Sequence, residues 1–280
     1  MILVTGATGN VGSHVVQQLL EQGFPVRVFT RDPAKVARWG DAVEVARGDF
    51  ADTSAFVAAL EGVTAVFLMN GATDPAVFRN LVGTIRQSGN PRVVFLSSIA
   101  VHNTNSPIGH LHRDKEEVLL SSGLPVAFVR GGGFMSNALQ WIGTIRQHGL
   151  VYNGMGHGQY APVHPADVAA VAVHALTAPV LTETVYDVTG ETLLDIPGQV
   201  RILAKILGKP LRTADISAEE AAEKMLPAGA PPQLANGLAR SIQEIRDGRM
   251  SLVTDAFRRV TGKPPQSFEQ WAREHAAQFA

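Results

Sequence analysis

The sequence predicts an α/β fold: a doubly wound parallel sheet, followed by a smaller, mainly helical C-terminal lobe. Three observations predict it. Short apolar runs alternate with helical patterns through the first 150 residues, as in a parallel sheet covered on both faces. A glycine-rich turn joins the first apolar run to the first helical pattern. After about Leu150 the strand signals thin out and helical ones dominate.

Taken in order, Ile2–Thr5 is a short apolar run ending in a turn, the mark of a buried strand. Val11, Val15, Val16, Leu19 and Leu20 then share one helical face, and Gly23 stops that helix. Strands are expected at Val26–Thr30, 43–46, Ala65–Met69, 93–97 and 126–130. Asp32-Pro33 and Asp74-Pro75 each read as an N-cap followed by proline at the first helical position. Gly62, Gly89 and Gly123 stand where helices should end. His164-Pro165 opens a later helix and Val185–Val188 reads as one late strand. Ser217-x-x-Glu220 and Ser267-x-x-Gln270 are capping-box patterns. Residues 1–150 therefore read as the sheet core, and 151–280 as a lobe that returns one strand to it.

Composition narrows the function. The 280 residues are 45% hydrophobic and 18% charged with net charge -1, enough for a sizeable core and without a basic stripe. This disfavours nucleic acid and membrane surfaces as partners and leaves a small-molecule substrate, with a monomer or homodimer as the expected state. The absence of cysteine excludes disulfides, thiolate nucleophiles and cysteine-based metal sites. Met1 runs directly into Ile2-Leu3-Val4, with no charged start and long apolar run for a leader, and no stretch is long enough to span a bilayer. A cytoplasmic location is the expectation.

Thr5-Gly6-Ala7-Thr8-Gly9-Asn10-Val11-Gly12 follows a predicted strand and opens a predicted helix. In that setting Gly6 permits the sharp turn, Gly9 lets the backbone approach a pyrophosphate, and Gly12 allows close helix–sheet packing. Thr8, Asn10 and Val11 complete the loop, whose amides and helix dipole face the phosphates. The spacing is G-x-x-G-x-x-G, and a Rossmann-type dinucleotide site is the reading; a purely structural turn is the alternative. Arg31 stands 19 positions after Gly12, where the ribose-selecting residue belongs. An acid there would repel a 2′-phosphate, whereas the guanidinium fork accepts it, so NADP(H) is favoured over NAD(H). A solvated surface arginine is the competing reading. Lys35 and Arg38 lie one and two turns on, and Asp32 is better used as an N-cap. At the next strand ends, Asp49 and Phe50 suit the adenine amino group and ring, or merely a turn. Met69-Asn70-Gly71 and Ser97-Ser98 end strands at the same carboxyl edge, where ligands of such sheets bind.

Gly6–Gly12, Arg31, Asp49, Ser97-Ser98, Ser122-Gly123-Leu124-Pro125 and Val129-Arg130 together resemble the short-chain dehydrogenase/reductase superfamily. So do Phe134-x-x-Asn137, His164-Pro165-Ala166-Asp167-Val168, Tyr186-Asp187-Val188-Thr189-Gly190 and Thr261-Gly262-Lys263-Pro264-Pro265. The set is most similar to its atypical NmrA-like branch, and within that to triphenylmethane reductase and NAD(P)H:quinone oxidoreductase relatives. The resemblance implies a reductase with a bound nicotinamide cofactor. One hallmark of the superfamily is missing. Its Y-x-x-x-K pair protonates a developing alkoxide, but here Tyr152, Tyr160 and Tyr186 are followed four places on by Gly156, His164 and Gly190. Alignment to the family puts Ile108 at the tyrosine place and His112 at the lysine place, with Glu116 one turn later on the same helix face.

His112 is the first catalytic candidate, able to contact the nicotinamide ribose, orient a substrate or donate a proton. A surface histidine paired with Glu116 is the plainer reading. Ser98 is the second, against a strand-end cap. His110, His112 and Glu116 do not form a zinc signature, so no metal is expected. Phe134, Asn137, Trp141 and Tyr152, with Met135 and Met155, are candidates to line a substrate pocket beside the Arg130-Gly131-Gly132-Gly133 loop; ordinary core packing competes for at least half. Two functions follow. One is NADPH-dependent hydride transfer to a conjugated electrophile (a quinone, dye, enone or imine), whose delocalised product needs placement more than a proton donor. The other is a non-catalytic NADP-binding regulator of the NmrA type that senses redox state through a protein partner.

Overall fold

In the computed structural model, which describes residues 1–69, 74–104, 106–226 and 232–280, each apolar run of the N-terminal half is a strand. The chain begins β1 (Ile2–Thr5), α1 (Gly12–Glu21), β2 (Val26–Thr30), β3 (Val43–Arg47) and α2 (Thr53–Ala59). It continues with β4 (Ala65–Met69), α3 (Pro75–Gln87), β5 (Arg92–Ser98), α4 (Pro107–Leu120) and β6 (Val126–Gly131). Beyond these lie α5 (Ile142–His148), β7 (Leu150–Asn153), α6 (Pro165–Thr177), β8 (Val185–Val188) and α7 (Ile196–Leu207). β9 (Arg212–Asp215), α8 (Ala218–Met225), α9 (Pro232–Arg246), α10 (Ala256–Thr261) and α11 (Phe268–Phe279) complete it.

Seven strands form one parallel sheet in the order β3-β2-β1-β4-β5-β6-β8. Ile2 stands opposite Val26 on one side and Ala65 on the other. The winding direction reverses between β1 and β4, which opens a crevice at the carboxyl ends of these strands. Thr5 clips that point shut from below. Its buried Oγ1 donates to the Phe67 carbonyl at 3.0 Å and accepts from the Met69 N–H at 2.9 Å. The central strands are buried on both faces, and this is why they read as continuous apolar runs. Edge strand β3 is exposed at Glu44, Val45 and Arg47. The Rossmann-type α/β fold expected from the sequence is the one observed.

By Cα proximity the chain forms two units of three segments each. The first holds Met1–Ile99, Leu111–Gly131 and Pro165–Val188; the second holds Ala100–His110, Gly132–His164 and Thr189–Ala280. The division thus follows contacts and not a single point near residue 150. In the first unit, Leu3, Phe29, Phe56, Leu68, Phe78, Phe95 and Phe128 belong to one buried cluster. α6 returns to this unit beside α1, where Gln18 Nε2 donates to the Ala166 carbonyl at 2.9 Å. The carbonyls of Ala175 in its last turn and of Ala178 just beyond it accept from Arg92 Nη1 at 3.0 and 2.6 Å. A cation at a helix C-terminus satisfies carbonyls that the helix itself leaves open.

In the second unit, Trp141, Tyr160, Ile196, Leu203, Phe268, Trp271 and Phe279 share a core. A smaller cluster of Ala218, Ala221, Ala222, Ala239 and Ile242 joins α8 to α9. This unit holds a parallel two-stranded sheet, β7 with β9, that the sequence reading lacked. Arg212-Thr213-Ala214-Asp215 is polar and without apolar alternation, so its strand exists through pairing alone. Ser267 and Gln270 form a complete capping box. Ser217 caps α8 through the Glu220 N–H at 3.1 Å, but the Glu220 carboxylate lies 3.6 Å from Lys224. No helix among the described residues is long and apolar enough to cross a membrane.

Candidate functional site

The turn after β1 is shaped by backbone that tolerates no side chain at two positions. Gly6 has φ of +64°, and a Cβ there would lie 2.9 Å from the Met69 Cβ. At Gly12 a Cβ would come within 2.2 Å of the Gly6 carbonyl oxygen. Gly9 is less constrained, with 3.3 Å to that oxygen, and its N–H donates to it at 2.9 Å. Above this turn is a cavity of about 360 Å³. Gly6, Ala7 and Thr8 form one wall; Phe29, Thr30 and Arg31 come from the end of β2, and Gly48 to Ala51 from the end of β3. Met69, Asp74 and Val77 close the remaining side. A glycine turn, the start of a helix and a cavity over four strand ends fit a dinucleotide phosphate bridge and its adenosine half.

Of the residues expected at this site, Gly6, Thr8, Arg31, Asp49, Phe50 and Met69 line the cavity. Val11 is buried and does not line it, and Gly9 and Asn10 are exposed on the turn. Arg31 is 83% exposed, with Nε 3.8 Å from Asp49 Oδ2, so its guanidinium is only loosely held. Asp49 Oδ1 also accepts from the Ala51 N–H at 3.0 Å, which makes it part of a turn as well as of the cavity wall. Asp32 caps the following helical segment through the Ala34 N–H at 3.1 Å. Lys35 lies 3.9 Å from Asp32 and does not line the cavity. Phe50 packs on Phe29 and Phe56, with ring centroids 5.7 and 5.8 Å away. Asn70 and Gly71 fall outside the described residues.

At the ends of β5, β6 and β8 the charge arrangement differs from the sequence expectation. Glu116 does not pair with His112. Both its oxygens accept from Arg130, Oε1 from Nε at 2.9 Å and Oε2 from Nη2 at 2.6 Å. Ser97 Oγ donates to Glu116 Oε1 at 2.5 Å, and Asp187 lies 3.7 Å from Arg130 Nη1. A guanidinium matches a carboxylate with two parallel donors, which an imidazole cannot do. The hydrogen bond to Glu116 is the main reason that the Arg130 guanidinium is raised above its already high range. Ser97 is therefore committed to this network.

His112 is half-buried on α4 with its ring centroid 6.4 Å from that of Phe95, and its buried Nδ1 has no hydrogen-bond partner. Burial, with help from the positive charge of Lys115, holds its pKa down to about 4, against the opposing pull of Glu116. At neutral pH it is a neutral ring, not an imidazolium acid. Lys115 is 4% exposed, and burial lowers its pKa to about 8. Its ammonium lies 5.1 Å from the Phe78 ring centroid. Nothing local in the sequence distinguishes this lysine from its solvated neighbours. Ser98 is half-buried as the last residue of β5, opposite Gly131. His110 Nε2 is 2.8 Å from the Thr104 carbonyl.

The second unit holds a separate pocket of about 350 Å³. Asn137, Trp141 and Tyr152 line it, together with Gly133, Gln140, Thr144, Met155, Tyr160, Ile196, Ile216, Lys224, Met225, Ile242 and Ile245. Phe134 is not among the lining residues; its backbone bridges to Val163, and Met135 is buried in the core. Burial raises the Tyr160 phenol above its ordinary value. Gln140, Thr144, Tyr160 and Lys224 escaped the sequence reading because the walls come from segments far apart in the chain. Among the described residues no group of three or more His, Asp or Glu side chains is placed to hold a metal ion.

The family described as NAD(P)H-binding matches residues 6–179. The chain is 38% identical to the (4-alkanoyl-5-oxo-2,5-dihydrofuran-3-yl)methyl phosphate reductase of Streptomyces griseus, over 100% of this chain and 99% of the relative. It is 32% identical to the NAD(P)H azoreductase of Xenophilus azovorans over the same shares of the two chains. The solved NADPH complex of an NADPH-dependent quinone oxidoreductase from Escherichia coli aligns with a TM-score of 0.86 at 24% identity. That alignment covers 98% of this chain and 99% of the other, and it establishes a shared fold.

Proposed function

The chain belongs to the NAD(P)H-binding family, and on that premise we propose that it is an NADPH-dependent reductase of conjugated, electrophilic small molecules. Gly6, Gly9 and Gly12, with Thr8, Asn10 and Val11, would hold the pyrophosphate at the start of α1. Asp49, Phe50 and Met69 would enclose the adenosine half. The nicotinamide, when bound, supplies a hydride. The pocket of the second unit, with Asn137, Trp141 and Tyr152, is the proposed substrate site. Its apolar walls exclude water and hold a flat molecule in place.

Two observations support the substrate class. The chain has no Y-x-x-x-K pair, and His112 is neutral at working pH, so strong acid assistance to an alkoxide is not provided for. The names of the two relatives specify a 5-oxo-2,5-dihydrofuran carrying an alkanoyl group and an azo compound, both conjugated acceptors. Purified protein should oxidise NADPH with at least one member of a panel of quinones, dyes, enones and imines. NADPH binding without turnover across that panel would favour the regulator instead.

Preference for NADPH over NADH is carried by one observation. The Arg31 guanidinium stands at the cavity rim, exposed and only loosely paired, free to close on a 2′-phosphate. Wild-type protein should bind NADPH roughly tenfold or more tightly than NADH, a gap the size of a charge-assisted bidentate contact. Arg31→Ala should remove most of it. Equal dissociation constants for the two cofactors in the wild type would refute the preference.

A further inference from the structure

We propose that Lys224 selects an anionic acceptor: the substrate is a flat conjugated molecule bearing a carboxylate, sulfonate or phosphate. This rests on the reading of the second-unit pocket as the acceptor site. Among the described residues, Lys224 is the only charged one lining that pocket. The other polar side chains described there, such as Asn137, Gln140 and Thr144, are neutral, and no carboxylate is among them.

The ammonium is held at the pocket wall from two sides. It lies 4.6 Å from the centroid of the Tyr152 ring, which also lines the pocket. Glu220, one turn earlier on α8, is 3.6 Å away. Both members of that ion pair are about half exposed, so the pair is worth little and can be exchanged. A cation beside apolar walls gains more from an anion than it would in open water, because the local dielectric is lower. A flat acceptor would lie against the apolar walls while its anionic substituent replaces Glu220 as partner of Lys224. A cationic dye in the same place would bring two positive charges together. The lysine thus divides conjugated acceptors by charge, where aromatic walls alone would not.

The test uses a matched pair of quinones, 9,10-anthraquinone-2-sulfonate and the neutral 2-(hydroxymethyl)anthraquinone, on the full-length protein. Binding is measured by calorimetry and turnover by NADPH oxidation, for wild type, Lys224→Met and Lys224→Arg. The ratio of kcat/KM for the sulfonate over the neutral quinone should fall about fivefold to tenfold in Lys224→Met, the size of a partly screened ion pair. The loss should appear in KM, with a parallel fall in the sulfonate's affinity. Lys224→Arg should keep the ratio within about twofold, since the charge is retained. A ratio unchanged in Lys224→Met, or lost equally in both variants, would overturn the proposal. Charge-selective binding without turnover of either quinone would sustain the anion contact, while the reductase reading falls only if turnover is absent across the whole acceptor panel, so the two failures are distinguishable.

Discussion

At Gly12 a methyl group would meet the Gly6 carbonyl oxygen, which is backbone, at 2.2 Å. Neither atom can step aside without opening the turn. Gly12→Ala should therefore cost about 1–3 kcal/mol of stability, the usual range for overpacking, and weaken NADPH binding with it. Gly9 has 3.3 Å at the same oxygen, so Gly9→Ala should be tolerated far better by the fold while still obstructing the pyrophosphate. Chemical denaturation and NADPH titration of both variants check this, and equal stability losses at the two positions would contradict it. The glycines were legible because their requirements are local: strand, turn and helix lie within a dozen residues. His112 and Glu116 were not. Their spacing suits a helical pair, yet Arg130, 14 residues on from Glu116, provides two donors where the imidazole provides one.

Among the helices, α4 carries the least expected side chain. Lys115 is 4% exposed, on a segment whose neighbours Arg113, Asp114 and Glu117 face outward or partly so. Its pKa is lowered to about 8 by burial. A lysine whose folded pKa lies below its unfolded value of 10.5 disfavours folding wherever it is charged in both states, that is below about pH 8. Between pH 8 and 10.5 the folded form loses its proton while the unfolded form keeps it, and the penalty is lifted. Lys115→Met should accordingly be more stable than wild type at pH 7, with the difference in Tm shrinking as pH approaches 10.5. A difference independent of pH would show that the charge is not the cause. The other elements divide by the kind of signal they carry. β1, β4 and β6 are buried on both faces and announced themselves by apolar runs. β7 and β9 are four residues each and, among the described residues, pair only with one another; β9 is polar without apolar alternation, and β7 is a short apolar run with no sequence neighbour to pair with.

At the scale of the molecule, the sheet order places the ends of β5, β6 and β8 side by side, and one ion pair ties them to α4. Glu116 and Arg130 are 5% and 17% exposed, with Ser97 and Asp187 adding a hydrogen bond and a second acid. Removing one charge from such a pair leaves the other buried and poorly compensated. Glu116→Gln should cost about 3 kcal/mol, within the range for breaking a buried pair, measured by urea unfolding at neutral pH. A loss below about 1 kcal/mol would place the pair among weak surface contacts instead. The fold class and its glycine turn were readable from one sequence, and so was the family resemblance, since the motifs span most of the chain. The proposed cofactor site is written in local spacing: Gly6, Gly9, Gly12 and Arg31 sit at fixed offsets from one strand and one helix. The proposed substrate pocket is not. Its walls run from Gly133 to Ile245, and Lys224 reaches Tyr152 only because β7 and α8 are folded into the same unit. Backbone turns are chosen by neighbours in sequence, and they follow from the sequence alone; pockets and ion pairs are chosen by neighbours in space, and only the tertiary structure assigned those.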